Sequence, residues 1–187
     1  MRHGQSTANV AGIILSDLDE GKKEEHTLTA EGEDQVRASV AQVRADGQLN
    51  ENTVIYSSPF SRCKRTAEIA HEVLDVRDEI IFDDRLRERW FGDWEKTPNS
   101  NYQKVWDVDK VDPGHEQKNV ESAADVQKRT TAFIVDMEKK YSGRNILLVS
   151  HGDALQILQT GFKKASPAIH RDLQHLNTAE VRKLELE

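Results

Sequence analysis

The sequence of 187 residues contains a single cysteine, Cys63, so no disulfide can form within the chain and stability has to come from a packed core. That cysteine usage, together with the lack of a secretory leader pattern at the start, reads as a reducing, cytoplasmic setting. Long apolar runs are missing too. None approaches the ~20 residues that cross a bilayer, so no membrane partner is expected. Positive charge is scarce: 26 Lys and Arg against 33 Asp and Glu leave a net charge of -7, without the broad basic face of a nucleic-acid binder. There is no internal repeat and no low-complexity linker. The length suits one domain, residues 1–187, with a core of its own.

What is present alternates between strand and helix signals. Val36, Val40 and Val43 recur at helical spacing, which predicts a helix over about 30–45. "TVIYSS" (53–58) is a short β-branched run and reads as a buried strand. Ser58 followed by Pro59 predicts an N-cap and first helical position, opening a helix through Ile69, Ala70, Val73 and Leu74. "EIIF" (79–82) is a weaker strand, and Ser122 can cap a long helix carrying Val126, Phe133, Ile134, Met137 and Tyr141. "NILLVSHGD" (145–153) is the clearest strand, with a short helix after it at 154–162. "AEVRKLEL" (179–186) alternates like a last strand, whereas 16–26 reads as a charged loop and 97–119 as irregular chain. The alternation predicts an α/β fold with a largely parallel sheet.

In such sheets ligands bind beyond the carboxyl ends of the strands. His151 and Gly152 follow one strand, Ser58 to Arg62 another, and Glu88 lies soon after a third. Arg2-His3-Gly4 would join this set if a strand preceded it. Cys63 does not open a Cys-x5-Arg phosphate loop, because Ile69 stands where the arginine is needed, so it reads as a packing residue.

Together these pieces resemble the histidine phosphatase superfamily, the phosphoglycerate-mutase-like enzymes. The segments that carry the resemblance are "RHGQSTAN", "LTAEGEDQ", "YSSPFSRCKRTA", "LRERWFGDWE", "ESAADVQKR" and "VSHGD", in that order along nearly the whole chain. The resemblance implies a three-layer sandwich, with helices on both faces of a mostly parallel central sheet. It implies that His3 attacks phosphorus and carries a phosphohistidine, with one ring nitrogen held as a donor, as to a backbone carbonyl. Arg2 and Arg62 would grip the phosphoryl oxygens, Arg62 from the first turn of its helix. His151 would donate to the same group, cationic beside it, with Gly152 and Asn9 also in the substrate site. Glu88 would protonate the leaving oxygen from a raised pKa and then deprotonate water. No metal or other cofactor is implied, and the partner is a small phosphate ester.

The bare residues leave other readings open. Arg65 and Arg89 could widen the anion pocket, while Arg85 and Arg87 read equally as surface ion pairs. Trp90, Phe91 and Trp94 read as core or pocket wall, Glu121 and Ser122 as a helix start. His26, His71, His115, His170 and His175 show no partner pattern. "GDWE" resembles the phosphatase branch, which favours hydrolysis of a small phosphomonoester. The alternatives are mutase-type phosphoryl transfer and a non-catalytic phospho-ligand binder, although a pure binder has no use for a general acid. Specificity is expected in the wall formed by 10–27 and 89–120.

One departure stands out. The family runs an apolar strand into Arg-His-Gly, and here Met1 abuts Arg2. The first strand is therefore missing before Arg2, and the expectation is a late start, with roughly 5–10 apolar residues encoded upstream.

Overall fold

The computed structural model describes residues 1–185. Three strands form a parallel sheet: β1 (Val54–Ser57), β2 (Ile81–Phe82) and β3 (Ile146–Val149), in the order β2-β1-β3. Val54 pairs with Ile146 and Ser57 with Val149, while Ser57 meets Phe82 on the other side. Every residue of β1 is buried, which is why its sequence reads as one continuous apolar run.

Among the described residues seven α-helices surround the sheet: α1 (Thr7–Ala11), α2 (Leu18–Gly21), α3 (Ala30–Ala45), α4 (Ser61–Leu74), α5 (Tyr102–Asp109), α6 (Ala123–Lys140) and α7 (Gly152–Phe162). The pleat sorts the core into layers. Ile55, Leu147 and Val149 pack with Val36 and Val40 of α3 and with Ile69 and Ala70 of α4. Val54 and Tyr56 point to the other face, against Phe133 and Met137 of α6. Helix α7 joins that second layer through Ala154 and Ile157, which meet Ala123 and Val126. The three-layer α/β arrangement is the expected one. No described helix is long and apolar enough to cross a membrane.

At the position expected for a first strand, Met1 to His3 lie along the end of β3. The Met1 amino group donates to Leu148 O (2.7 Å), Ser150 N to Met1 O (3.1 Å) and His3 N to Ser150 O (3.0 Å). On the far side Arg2 N donates to Glu180 O and Ala179 N to His3 O. A cleft of about 510 Å³ adjoins this stub, lined by Met1, Leu49, Met137, Leu155 and Leu184 among others.

Several local expectations are corrected. The helix after β1 starts at Ser61 with Phe60 as its N-cap, because the Ser58 hydroxyl is taken up by His151 instead. Residues 97–119 contain α5; its inward stripe is Tyr102, Val105 and Asp109, and a buried aspartate hides that stripe from an apolar count. The 16–26 segment folds into α2 and a 3₁₀ turn at Glu24–His26, with Gly21 buried against the Phe60 ring. The alternating segment from 179 is no strand over its described residues. Ala179 sits at φ 59 in a turn closed by Glu180 N donating to Asn177 O, which breaks the alternation at its first residue. Leu186, the end of that expected strand, lies outside the described residues.

The loop that carries His3 is pressed onto the first turn of α3. A Cβ on Gly32 would stand 2.0 Å from Gln5 O, and one on Gly4 would stand 2.4 Å from Gly32 O. Alanine favours a helix over glycine by about 1 kcal/mol, but forced overpacking costs about 1–3 kcal/mol and here the obstacle is backbone. Gly32→Ala is expected to lower the melting temperature by several degrees and to reduce turnover by displacing His3. An unchanged melt would show that the loop yields freely.

Candidate active site

The end of the sheet brings three of the expected side chains into contact. His3 follows the Met1 stub, Arg62 lies in the first turn of α4, and His151 is the N-cap of α7 directly after β3. All three are buried, and the two imidazoles stand edge to face with centroids 5.3 Å apart. The Arg62 guanidinium lies between them. Its Nε donates to His3 Nε2 (3.2 Å) and to His151 Nδ1 (3.2 Å), and its Nη2 to His151 Nδ1 (3.0 Å) and Leu15 O (3.0 Å).

These contacts fix the ring tautomers. An arginine can only donate, so His3 Nε2 and His151 Nδ1 are acceptors. The proton of His3 is then on Nδ1, which donates to Gly4 O at 2.7 Å, the backbone partner expected from the sequence. The proton of His151 is on Nε2, 2.8 Å from Ser58 Oγ, with Cys63 Sγ at 3.4 Å. Burial first, then Arg62 and Arg2, push the His3 pKa well below the ordinary histidine range. Burial and Arg62 do the same to His151. In this arrangement His151 accepts as a neutral ring; the cation expected from the sequence is one beside a phosphoryl group.

Arg2 completes the cluster from the sheet edge. Its Nη1 donates to Leu176 O (2.8 Å) and His175 Nε2 (3.0 Å). Gly152 leaves room for it, since a Cβ there would touch Arg2 Cζ and Nε at 3.4 Å. Arg2 Nε and Arg62 Nη1 are buried with no hydrogen-bond partner among the described residues. Buried guanidinium N–H groups of this kind are costly unless an acceptor meets them, and an oxyanion is the acceptor their charge prefers. The donor set is cationic and would repel a metal ion.

Glu88 is 6 % exposed, and its Oε1 accepts from Arg89 N (2.9 Å) and Ala154 N (3.1 Å). Burial raises its pKa, the charge of Asp153 adds to that, and Arg62 and the two backbone donors oppose it. Burial and Asp153 thus raise the carboxyl pKa before any phosphate is near. Other acids in the neighbourhood are committed elsewhere: Glu95 accepts from Ser16 N and Oγ, and Glu121 is held by Arg87, Arg129 and Trp90 N.

Some expected site residues are placed differently. Asn9 is exposed on α1, where its Oδ1 closes a capping box with Ser6 N and Oγ, leaving only its amide nitrogen to donate. Arg65 pairs with Glu33 and Glu68, and Arg89 is fully buried against Asp109 and Asp153, so neither widens an anion pocket. Arg85 pairs with Asp83 and Asp136, the surface reading. Phe91 is core, and Ser122 caps α6 as read. Sequence reasoning missed Ser58 as a partner of His151, His175 as a partner of Arg2, and Tyr102, whose phenol lies in the field of Glu88 and Arg62. Position after a strand could have flagged Ser58. The other two come from segments without a legible period.

The chain is 29% identical over 169 residues to the "Uncharacterized phosphatase PhoE" of Bacillus subtilis (strain 168), covering 90% of this chain and 78% of that one. It is 32% identical over 163 residues to a "Probable phosphoglycerate mutase GpmB" of Photorhabdus laumondii, covering 84% of this chain and 70% of that one. Among solved structures, a mycobacterial glucosyl-3-phosphoglycerate phosphatase in complex with VO3 superposes with a TM-score of 0.77 at 25% identity, over 95% of this chain and 87% of that one. A phosphoserine phosphatase from Entamoeba histolytica in complex with 3-phosphoglyceric acid shares the fold with a TM-score of 0.70 at 22% identity, over 95% of this chain and 84% of that one. The family model of the histidine phosphatase superfamily (branch 1) matches residues 1–187, and the chain belongs to that superfamily.

Proposed function

We propose that the protein is a phosphatase that hydrolyses a small phosphomonoester through a phosphohistidine on His3. The observation that carries this reading is the tautomer of His3: Nδ1–H is spent on Gly4 O, so the Nε2 lone pair is the one directed at Arg62 and available for attack. Arg62 and Arg2 would turn their unpartnered N–H groups to the phosphoryl oxygens, and His151, whose Nε2–H is held at Ser58 Oγ, would donate from Nδ1 once that nitrogen carries a proton. His3 Nε2 bonds to phosphorus as the ester P–O bond breaks, and Glu88 gives its proton to the departing oxygen. Water then attacks phosphorus, Glu88 takes a proton from it, the N–P bond breaks and inorganic phosphate leaves. No metal is needed, since two guanidinium groups already neutralise the phosphoryl charge.

Mutase-type transfer is a second reading, favoured by relatives named as phosphoglycerate mutases. It requires the phosphohistidine to outlive water attack until an alcohol returns. Product analysis with 3-phosphoglycerate separates the two: inorganic phosphate supports the phosphatase, 2-phosphoglycerate the mutase.

His3→Ala is expected to abolish turnover and to remove the acid-labile, base-stable label that quenched wild-type protein should carry. Substantial residual turnover would overturn the assignment of the nucleophile.

Glu88→Gln keeps the acceptor for Arg89 N and Ala154 N but has no carboxylic proton. In pre-steady-state phosphorylation it is expected to lose the ~10²–10⁴-fold typical of general acid catalysis with an alkyl phosphate. With p-nitrophenyl phosphate, whose leaving group needs no proton, the loss should be far smaller. Equal losses would remove Glu88 from the acid role.

The same substitution has a stability signature. A carboxyl with a raised folded pKa stabilises the fold below its unfolded pKa, and that stability is lost as pH rises through the folded value. Glutamine does not titrate. Thermal melts of Glu88→Gln are therefore expected to gain on wild type as pH moves from mildly acidic to mildly alkaline, and a constant difference would contradict the raised pKa.

A further inference from the structure

Outside the Arg62 cluster lies a second cation for which the proposed hydrolysis has no use. Arg171 belongs to the 3₁₀ segment Pro167–Asp172 that follows α7. Its Cζ sits 3.7 Å over the centroid of the Trp106 ring. Trp106 in turn stacks on Tyr102 with centroids 5.4 Å apart and planes 8° from parallel. The guanidinium is thereby held flat at the end of an aromatic stack, with its side chain 20% exposed.

Hydrogen bonds tie this guanidinium to the one at the reaction centre. Arg171 Nη1 donates to Gln156 Oε1 (3.1 Å), which also accepts from His175 Nδ1 (3.0 Å), and His175 Nε2 accepts from Arg2 Nη1 (3.0 Å). Arg2 and Arg171 are therefore one imidazole and one amide apart, at a separation the chain does not leave to chance. The charge of Arg171 is felt by both Arg2 and Glu88, in keeping with the closeness that this hydrogen-bond chain sets.

The structural role that would otherwise explain Arg171 is weakly filled. Its nearest carboxylate, Asp153, is 3.9 Å away. That carboxylate already serves others, with Oδ1 accepting from Trp106 Nε1 (2.9 Å) and Oδ2 from fully buried Arg89 (3.3 Å). Nε and Nη2 of Arg171 have no hydrogen-bond partner among the described residues. A half-buried, pre-oriented guanidinium with its fork open is suited to bind a planar or tetrahedral oxyanion.

We propose that Arg171 docks a second anionic group of the substrate, so that the site takes small phosphomonoesters bearing a further carboxylate or phosphate close to the ester. This rests on the phosphatase reading above: Arg2 and Arg62 hold the reacting phosphoryl group, Arg171 the other anion. Trp106 and Tyr102 form the wall between them, and Arg171 becomes a specificity determinant rather than a catalytic residue.

The test is calorimetric binding to the full chain of three probes: 3-phosphoglycerate, a sugar bisphosphate and glycerol 3-phosphate, which lacks a second anion. Wild-type protein is expected to prefer the first or second over the third by about 10- to 100-fold, the range of one charge-assisted contact. The probe that shows the preference identifies carboxylate or phosphate as the second anion. Arg171→Gln is expected to collapse that ratio, and Arg171→Lys to restore part of it. Equal affinities in the wild type would overturn the proposal whether or not the variants fold. A ratio that Arg171→Gln leaves intact would also overturn it, since a merely structural role weakens all three probes alike. Turnover followed on the same samples keeps the two readings apart: selective binding without hydrolysis contradicts the phosphatase and leaves the second-anion site standing.

Discussion

A buried guanidinium flanked by two imidazoles governs this molecule. Arg62 has no carboxylate hydrogen-bonded to it, and it spends its donors on two ring nitrogens and one carbonyl. A cation taken out of water on those terms is expensive. After burial, which is the larger cause, it pushes both histidine pKa values well below the ordinary range, and it dictates which nitrogen of each carries hydrogen. It also explains the convergence of distant segments, since His3, Leu15, α4 and the end of β3 each supply one side of its cage. The same deficit would make the cluster selective for a phosphoryl dianion, which would bring the missing countercharge.

Around this cation the protein arranges negative charge at a distance. Arg89, Asp109 and Asp153 form a fully buried ion cluster, with His115 Nε2 3.0 Å from Asp109 and the Trp106 indole donating to Asp153. The cluster links α5 to the start of α7 and to the backbone of Glu88. A buried pair of this kind adds little net stability over apolar packing, but removing one partner would strand the others. Its placement has an electrostatic effect: Asp153 adds to the burial that keeps the Glu88 carboxyl protonated above its ordinary range. Stability is given up at Glu88, within a fold otherwise packed by ordinary apolar layers.

Legibility followed period and position. Strands β1 and β3 and helices α3, α4, α6 and α7 could be read because their buried residues recur with the spacing of their own element. Arg62, Glu88 and His151 stand out in the sequence because motif and strand-end position coincide, whereas His3 rests on its motif alone. Where burial is polar, the reading failed. Asp109 takes the inward place in α5 that an apolar residue would have marked, and Ser58 turned from a cap into a partner of His151. Residues 179–185 failed for a different reason: the alternation is present, but a left-handed turn at Ala179 takes the chain out of strand geometry. His175 and Arg171 carry no sequence signal because their meaning lies in Gln156, which joins them across the fold.

The one cysteine lies directly behind the imidazole pair. Cys63 Sγ is 3.4 Å from His151 Nε2, the residue is fully buried, and burial pushes its thiol up to about 12. Peroxide and disulfide reagents act on the thiolate, and a sealed, protonated thiol offers them almost none. Phosphate-ester chemistry of the proposed kind, resting on imidazole with the chain's only thiol locked away, would be insulated from the redox state of its surroundings.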